Sequence, residues 1–433
     1  MPAVLYAADV VCPMSGPPLP HGGVLVEGRR IVDVGAVADL APRATRIHEV
    51  HGVLLPGLVN AHTALEYTDA AVLAVPGPAH AWLRALEGMT GSWSDEAWSR
   101  SAYRGVQQAL RAGSTTVGDV VRRGPAVPAA SRAGLAGDSW VQVTMVDVEH
   151  ADSVAAQVEH ALGLPAKGRR VGIAPHSPSL LGTGVLQALA ALAQRMAAPL
   201  HVEAAETQGE VAALRSGEGP LAAWAREHAY AFEWLDGGTD LSPMRYLDAC
   251  GALGPHTSVV HAVFADVLEA RLLADRGASV VCCPRANTLR SAGDAPLERY
   301  ADAGVRLALG TGSTASVPDL DLLAEAAAWV ALARRREMMF WPSSVGPITL
   351  EEQAIRLATV DGAWAMGWGG QAGVLEPGRS ADLLGVEITT KPETAYRDLV
   401  EQGPGRQVLT VLAGVRTARR SSADEPWPEI DPA

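Results

Sequence analysis

Residues 257–287 read TSVVHAVFADVLEARLLADRGASVVCCPRAN. A Val-rich run, then an Ala/Leu-rich stretch, then a second Val-rich run make one strand, helix, strand unit, because two parallel strands can be joined only through such a crossover. The rhythm recurs on both sides. Strands are predicted at Val53–His62, Ser114–Val121, Asp138–Val148, Arg169–Pro178, Pro199–Thr207, Thr257–Phe264, Ala278–Asn287 and Arg306–Ser316, separated by Ala- and Leu-rich stretches. The helix of 95–112 is the best marked, with Ser94 as N-cap and Gly113 at its end. Eight such units predict a closed (β/α)₈ barrel of the α/β class.

Residues 1–55 behave differently, with short β-type runs such as VLVEGRRIVDVG and little helical periodicity. Beyond Ile348, TLEEQAIRLATVDGAWAMG reads as helices, and GVLEPGRSADLLGVE and RQVLTVLAGVRTARR return to short strands that can complete the N-terminal sheet. The expected division is a first β-sandwich part over 1–55, the barrel over 56–365, a second sandwich part over 366–420 and an acidic, loosely ordered tail over 421–433.

The chain has 433 residues, 35 basic against 48 acidic side chains and a net charge of −13. Neither a phosphate backbone nor an anionic membrane surface suits that balance, so nucleic acid and membrane are excluded as partners. A small-molecule substrate is expected, and a homodimer stays open. Cys12, Cys250, Cys282 and Cys283 form no CxxC pair, which argues against a disulfide scaffold or a thiolate zinc site. No basic leader precedes an apolar core, and no run approaches the roughly 18 apolar residues of a span, so a soluble cytoplasmic protein is expected. Lysine occurs only at 167 and 391, which limits Schiff-base and carbamate chemistry.

In such a barrel the reactive groups sit where the strands end. Those ends carry Asn60, His62 and Glu66; His176; His201, Glu203 and Glu206; His261 and Asp266; Arg285 and Asn287; and Thr311, Ser313 and Ser316. One strand-end histidine is more often a hydrogen-bonded structural residue than a catalyst. Four histidines with Glu66, Glu203 and Glu206 on four strand ends point instead to one pocket. His21, His48, His51, His80, His150, His160 and His228 fall elsewhere and are read as structural or solvent-facing.

The segments LLPGLVNAHTALEYTDA, APHSPSLLG, PLHVEAAETQGEV, VVHAVFAD, VVCCPRANTLRSAGDAPLERYADAGVRLALGTGSTASVPDLDLLAEA and GVLEPGRSADLL, in this order over nearly the whole chain, resemble the amidohydrolase superfamily. More narrowly they resemble the branch of aminofutalosine and adenosylhomocysteine deaminases and triazine chlorohydrolases. The resemblance implies a barrel flanked by a β-sandwich. It also implies one divalent metal held by an HxH pair on the first strand, a His on the fifth and an Asp on the eighth, with a Glu three residues after the fifth-strand His moving protons.

Carried over residue by residue, His62 is the first ligand, but Ala64 stands at the second position of HxH. Glu206 and Thr207 anchor the HxxET pattern, so Glu203 takes the place of the metal His, with His201 two residues deeper on the same face. Gly312 stands where GTD has its Asp. Glu206 keeps the acid/base position and His261 the sixth-strand His, while His176, Arg285 and Asn287 fall where relatives line the substrate cavity; Glu66 and Ser313 complete the candidate binding set.

The principal reading is therefore an enzyme of amidohydrolase fold without metal or other cofactor, acting on a small nucleoside- or heterocycle-like nitrogen compound. Glu206, His261, Glu203 and His62 would carry acid–base chemistry in an isomerisation, dehydration, cyclisation or condensation. One alternative is a metal-dependent C–N hydrolase or deaminase with zinc or iron at a rewired site of His62, Glu203 and His261 or His201. Another is a non-catalytic ligand-binding protein. Engineered replacement could account for Ala64 and Gly312, but Glu203 is an odd choice for inactivation.

Overall fold

The structure, a computed structural model, describes residues 2–163, 168–344 and 346–428. Strands β1 (Ala3–Val11), β2 (Leu19–Pro20), β3 (Gly22–Glu27), β4 (Arg30–Ala36) and β5 (Arg46–Pro56) precede β6 (Leu58–Thr63), β7 (Ser114–Val121), β8 (Ala136–Val143), β9 (Arg170–Pro175) and β10 (Leu200–Ala204). Then come β11 (Thr257–His261), β12 (Ser279–Cys282), β13 (Arg306–Leu309), β14 (Leu383–Val386), β15 (Gln407–Leu412) and β16 (Val415–Arg419).

Strands β6 to β13 form one parallel sheet in chain order. Its two edges meet where Thr63 bridges Gly312 and the amides of Thr311 and Gly312 both donate to the His62 carbonyl at 3.0 Å. The result is a nearly closed eight-stranded barrel with helices outside it. Every residue of β6, β7, β11 and β12 is buried, as expected of parallel strands packed on both faces, and this is why they read as continuous Val-rich runs rather than alternating ones. Closure depends on Gly310, where a Cβ would come within 2.6 Å of His62 Cβ. The crossover helix Val267–Arg276 is fixed at both ends by a capping box of Asp266 with Glu269 and by Gly277 in the left-handed conformation. Asp266, read from sequence as a rim residue, is thereby occupied as a cap.

The second sheet runs β16-β15-β14-β5-β1-β3-β4. Strand β5 pairs parallel with β1 and antiparallel with β14, so the C-terminal strands complete the N-terminal sheet. The first strand expected at Val53–His62 is in fact two: β5 belongs to this sheet through Pro56, and β6 opens the barrel after Gly57. Other predicted strands ran too long at their ends. Residues expected to extend β10 and β11 turn away because Ala205, His261 and Ala262 take φ of 52°, 68° and 46°. The seventh stops at Cys282 because Pro284 opens a helix, Pro284–Leu289, which carries Arg285 and Asn287.

Of the segment expected as a tail, residues 421–428 are held by Arg420 stacked over Trp427 at 4.8 Å and by Arg111 Nη2 donating to the Pro428 carbonyl at 2.8 Å; 429–433 lie outside the described residues. Among the described residues no helix is long and apolar enough to cross a membrane, and all four cysteines are buried and unpaired.

Candidate active site and metal centre

A cavity of about 550 Å³ opens at the C-terminal ends of the barrel strands. His62, His176, Glu203, Glu206, His261 and Ser313 all reach its wall. Glu203 lies opposite Val260 and His261 opposite Ala204, so the pleat alone would send the two side chains to opposite faces; both reach the cavity because the backbone at His261 is left-handed, with φ 68°. His261 ends its strand with left-handed backbone, a conformation costing about 1–2 kcal/mol for a non-glycine residue. The Ala262 amide, bonded to the Ala204 carbonyl at 3.1 Å, holds it there.

His62, Glu203 and His261 each offer a ligand atom, and these atoms all lie within 4.8 Å of one another. The hydrogen bonds behind them decide which imidazole nitrogens face inward. His261 Nδ1 lies 2.7 Å from Asn287 Oδ1, an acceptor, so it carries the proton and leaves Nε2 toward Glu203, 3.9 Å from Oε2. His62 Nδ1 lies 2.8 Å from His201 Nε2, and His201 Nδ1 lies 2.6 Å from Ser258 Oγ, whose hydroxyl donates to the Leu200 carbonyl. Followed back from that carbonyl, each group accepts from the next, and His62 is left with its Nε2 lone pair free. Burial pushes His62 down to about 4, and Glu203 only partly reverses this, while burial and the His62 neighbour also push His201 well below its ordinary value. Both rings are neutral at pH 7, the form that binds metal.

Glu203 supplies the charge. Burial alone would raise its pKa, but His176, with Nε2 3.5 Å from Oε2, holds it well below the usual carboxylate range. Two imidazoles and a carboxylate, each imidazole held by a partner behind it, match the three-ligand pattern of a catalytic zinc site with an open position. This donor set points to a metal, against the metal-free expectation. Ala64 and Gly312 add no donor, as the sequence indicated; Gly312, at φ 67°, contributes its amide to barrel closure.

Glu206 faces the same space, 4.0 Å from His261 Nε2. Behind it Glu210 accepts from the Glu206 amide at 2.9 Å and from Ser177 Oγ at 3.2 Å, and burial pushes Glu210 up to about 7.

Four of the residues expected to bind substrate stand behind the cavity wall. His201 is fully buried, its ring parallel to Trp140 at 3.8 Å. Glu66 accepts from the Arg122 and Arg123 amides at 2.9 and 3.2 Å and, desolvated there, is pushed up to about 8. Arg285 turns to Asp319 at 2.8 Å, and Asn287 is committed to His261. The wall also holds Arg122, Glu210, Arg290, Tyr67 and Trp82, none of them singled out from sequence, and the exposed His80. Arg122 follows β7 directly and was missed because strand-end polar groups were not sought there. Glu210 looks like a capping-box partner of Thr207 in the pattern TxxE, yet its carboxylate reaches the Glu206 amide instead.

Residues 53–416 match the amidohydrolase family. The chain is 30% identical over 381 residues to a 5-methylthioadenosine/S-adenosylhomocysteine deaminase of Syntrophobacter fumaroxidans, covering 85% of this chain and 80% of the relative. It is 27% identical over 425 residues to a 5′-deoxyadenosine deaminase of Methanothermobacter thermautotrophicus, covering 92% and 90%. An adenosine deaminase from Xanthomonas campestris, solved with bound zinc, superposes with a TM-score of 0.76 at 23% identity over 95% of this chain and 92% of that one. The barrel, its discontinuous companion sheet and the length of the match together make this chain a member of the amidohydrolase family.

Proposed function

We propose that the protein is a metal-dependent C–N hydrolase, a deaminase of a nucleoside-like or related nitrogen heterocycle, with a rewired ligand set of His62, Glu203 and His261. The observation that carries this reading is the convergence of two oriented Nε2 lone pairs on one carboxylate within 4.8 Å. His62, Glu203 and His261 would hold a divalent cation, which would supply Lewis acidity toward a bound water. The chain's own groups do the rest. Glu206, facing the cavity beside His261, moves protons between the attacking water and the leaving nitrogen. Glu210, bonded to the Glu206 amide, fixes where that carboxylate stands. His176, paired with Glu203 and bonded through Nδ1 to Thr144 Oγ1 at 2.9 Å, orients the carboxylate ligand and presents its edge to the substrate. Trp82 and Tyr67 give the apolar faces against which a flat heterocycle excludes water.

The nucleoside-like substrate class rests on the names of the relatives, which are adenosine-type deaminases. One observation favours the metal-free acid–base reading instead: the His176–Glu203 pair already neutralises the carboxylate. Elemental analysis of purified protein, with ammonia release from 5′-deoxyadenosine and 5-methylthioadenosine, separates the two. About one equivalent of zinc, iron or manganese, lost in both His62→Ala and Glu203→Ala, is expected. A chain that takes up no metal and yet turns over substrate refutes the proposal.

A further inference from the structure

The chain carries a net charge of −13, yet one cleft outside the barrel is lined by cations alone. It is an open cavity of about 580 Å³ between β1, β5 and β16 of the second sheet, where Arg46, Arg416 and Arg419 stand beside His48 and Tyr6. It shares no residue with the cavity at the barrel strand ends. The strands build this cluster. Parallel pairing sets Arg46 opposite Val4 and His48 opposite Tyr6, with the two rings 5.5 Å apart, so these side chains share one face of the sheet. Glu49, between His48 and Val50, alternates to the other face. On β16, Arg416 and Arg419 would face opposite sides of a regular strand. The pairing with β15 skips a residue there, Ala418 lying opposite Thr410 and Arg416 opposite Val411, and this bulge at Thr417 turns both arginines to the side of Leu409 and Val411. Those two residues belong with Tyr6 and Val50 to one buried cluster, so the arginines of β16 meet those rings from across the sheet.

The three arginines lack a counter-charge. Among the described residues Arg46, Arg416 and Arg419 make no ion pair and no side-chain hydrogen bond. Other arginines of the same sheet region are committed: Arg43 holds Asp33, Arg406 holds Glu387 at 3.2 Å, and Arg420 donates to the Gln407, Glu425 and Gly405 carbonyls. Glu387 is taken up further by the Ser422 hydroxyl and the Ala423 amide. Burial lowers the His48 pKa, and Arg416, Arg419 and Arg46 lower it further; Tyr6, raised by burial, is pulled back by Arg416 and Arg46. The positive fields of β5 and β16 thus meet at these two rings. Charges and a bulge on an edge strand also guard it against pairing with another chain. That role does not account for Arg46, which sits on the interior strand β5.

We propose that this cleft binds a phosphate dianion, free or as part of a small phosphorylated molecule, between Arg46 on one side and Arg416 and Arg419 on the other. Guanidinium groups approaching from two strands suit the several oxygens of a tetrahedral dianion, whereas a planar carboxylate is satisfied by a single fork. Three cations suffice for one such group and fall short of the row of contacts that a nucleic-acid backbone needs. Val415, exposed at the rim, offers an apolar surface to the organic part of an ester. The inference stands apart from the deaminase reading, because it uses none of the residues of the barrel cavity.

Calorimetry at about pH 8 and about 0.15 M sodium chloride, where scattered surface charges are largely screened, tests it. Inorganic phosphate, phenyl phosphate and nitrate are titrated into the wild-type chain, Arg46→Gln, the double variant Arg416→Gln/Arg419→Gln, and Arg271→Gln. The last removes one exposed charge from the helix Val267–Arg276, outside the cleft. The wild type should bind phosphate at least about tenfold more tightly than nitrate, as charge-assisted contacts to a dianion imply. The double variant should lose at least about tenfold in phosphate affinity, Arg46→Gln a part of that, and Arg271→Gln none. All four side chains are exposed, so the variants should unfold at the wild-type temperature. Tighter binding of phenyl phosphate than of inorganic phosphate assigns the cleft to a phosphate ester, and the reverse order assigns it to the free ion; either upholds the site. No preference for phosphate over nitrate, or a preference that persists in the double variant, overturns the inference.

Discussion

Replacing His201 by Phe tests how His62, the proposed metal ligand, is held. The phenyl ring keeps the volume and the parallel stacking on Trp140 at 3.8 Å, but it removes the acceptor 2.8 Å from His62 Nδ1. That N–H is then buried without a partner, which costs about 1–3 kcal/mol. Ser258 is less affected, because its hydroxyl still reaches the Leu200 carbonyl. A loss of roughly 2 kcal/mol in folding stability is therefore expected, measured by urea unfolding of metal-stripped protein. The same change frees the His62 ring to rotate and to put its proton on Nε2, where it blocks coordination. Loss of such a partner behind a ligand typically costs about 10- to 100-fold in metal affinity, measured here by zinc competition with a chromophoric chelator. Ser258→Ala, at the far end of the relay, should give a smaller effect in the same direction. If His201→Phe loses stability but binds zinc as tightly as the wild type, the relay does not set the His62 tautomer, and the ligand assignment at His62 must be revised.

Glu206→Gln should lower turnover by roughly 10² to 10⁴ while leaving metal content and ligand affinity near wild type, checked by steady-state kinetics beside elemental analysis. The combined change Ala64→His, Glu203→His and Gly312→Asp should raise zinc affinity far more than its single components, because few lone ligands compete with hydrated ion. At Gly312 the backbone, with φ 67°, costs an Asp about 1 kcal/mol, and its Cβ meets nothing nearer than Ser316 at 3.7 Å, so the chain should fold; a folded variant without tighter zinc binding would refute the alignment at 203 or 312. Burial, only partly offset by Arg285, pushes Glu325 up to about 8. The folded chain then keeps a proton the unfolded chain has lost, so ionisation works against folding and stability falls as pH rises from about 4.5 to 8. Glu325→Gln should flatten that slope and stabilise the protein by about 2 kcal/mol at pH 8, whereas a loss of stability there would mean that Glu325 is ionised beside Arg285.

The barrel was legible in the sequence because parallel strands buried on both faces must be apolar throughout, and because Ser94 marks a helix start through a hydrogen bond made within a few residues. The residues at the strand ends followed from the same periodicity, whereas the reading of Ala64, Glu203 and Gly312 as departures came from the resemblance to the amidohydrolases. Strand ends did not follow, since the left-handed turns at Ala205, His261 and Ala262 occur at residues with no local preference for them and are held by bonds between neighbouring strands. The sequence put His201, Glu203, His261 and Asn287 near one rim but could not say which of them touch the ligand. That division depends on side-chain contacts between residues far apart in the chain. His201 is drawn behind His62 by Trp140 and Ser258, and Asn287 is drawn behind His261 by the helix that Pro284 starts. The order of strands around the barrel, not the order of residues along it, brings His62, Glu203 and His261 together as three convergent donors.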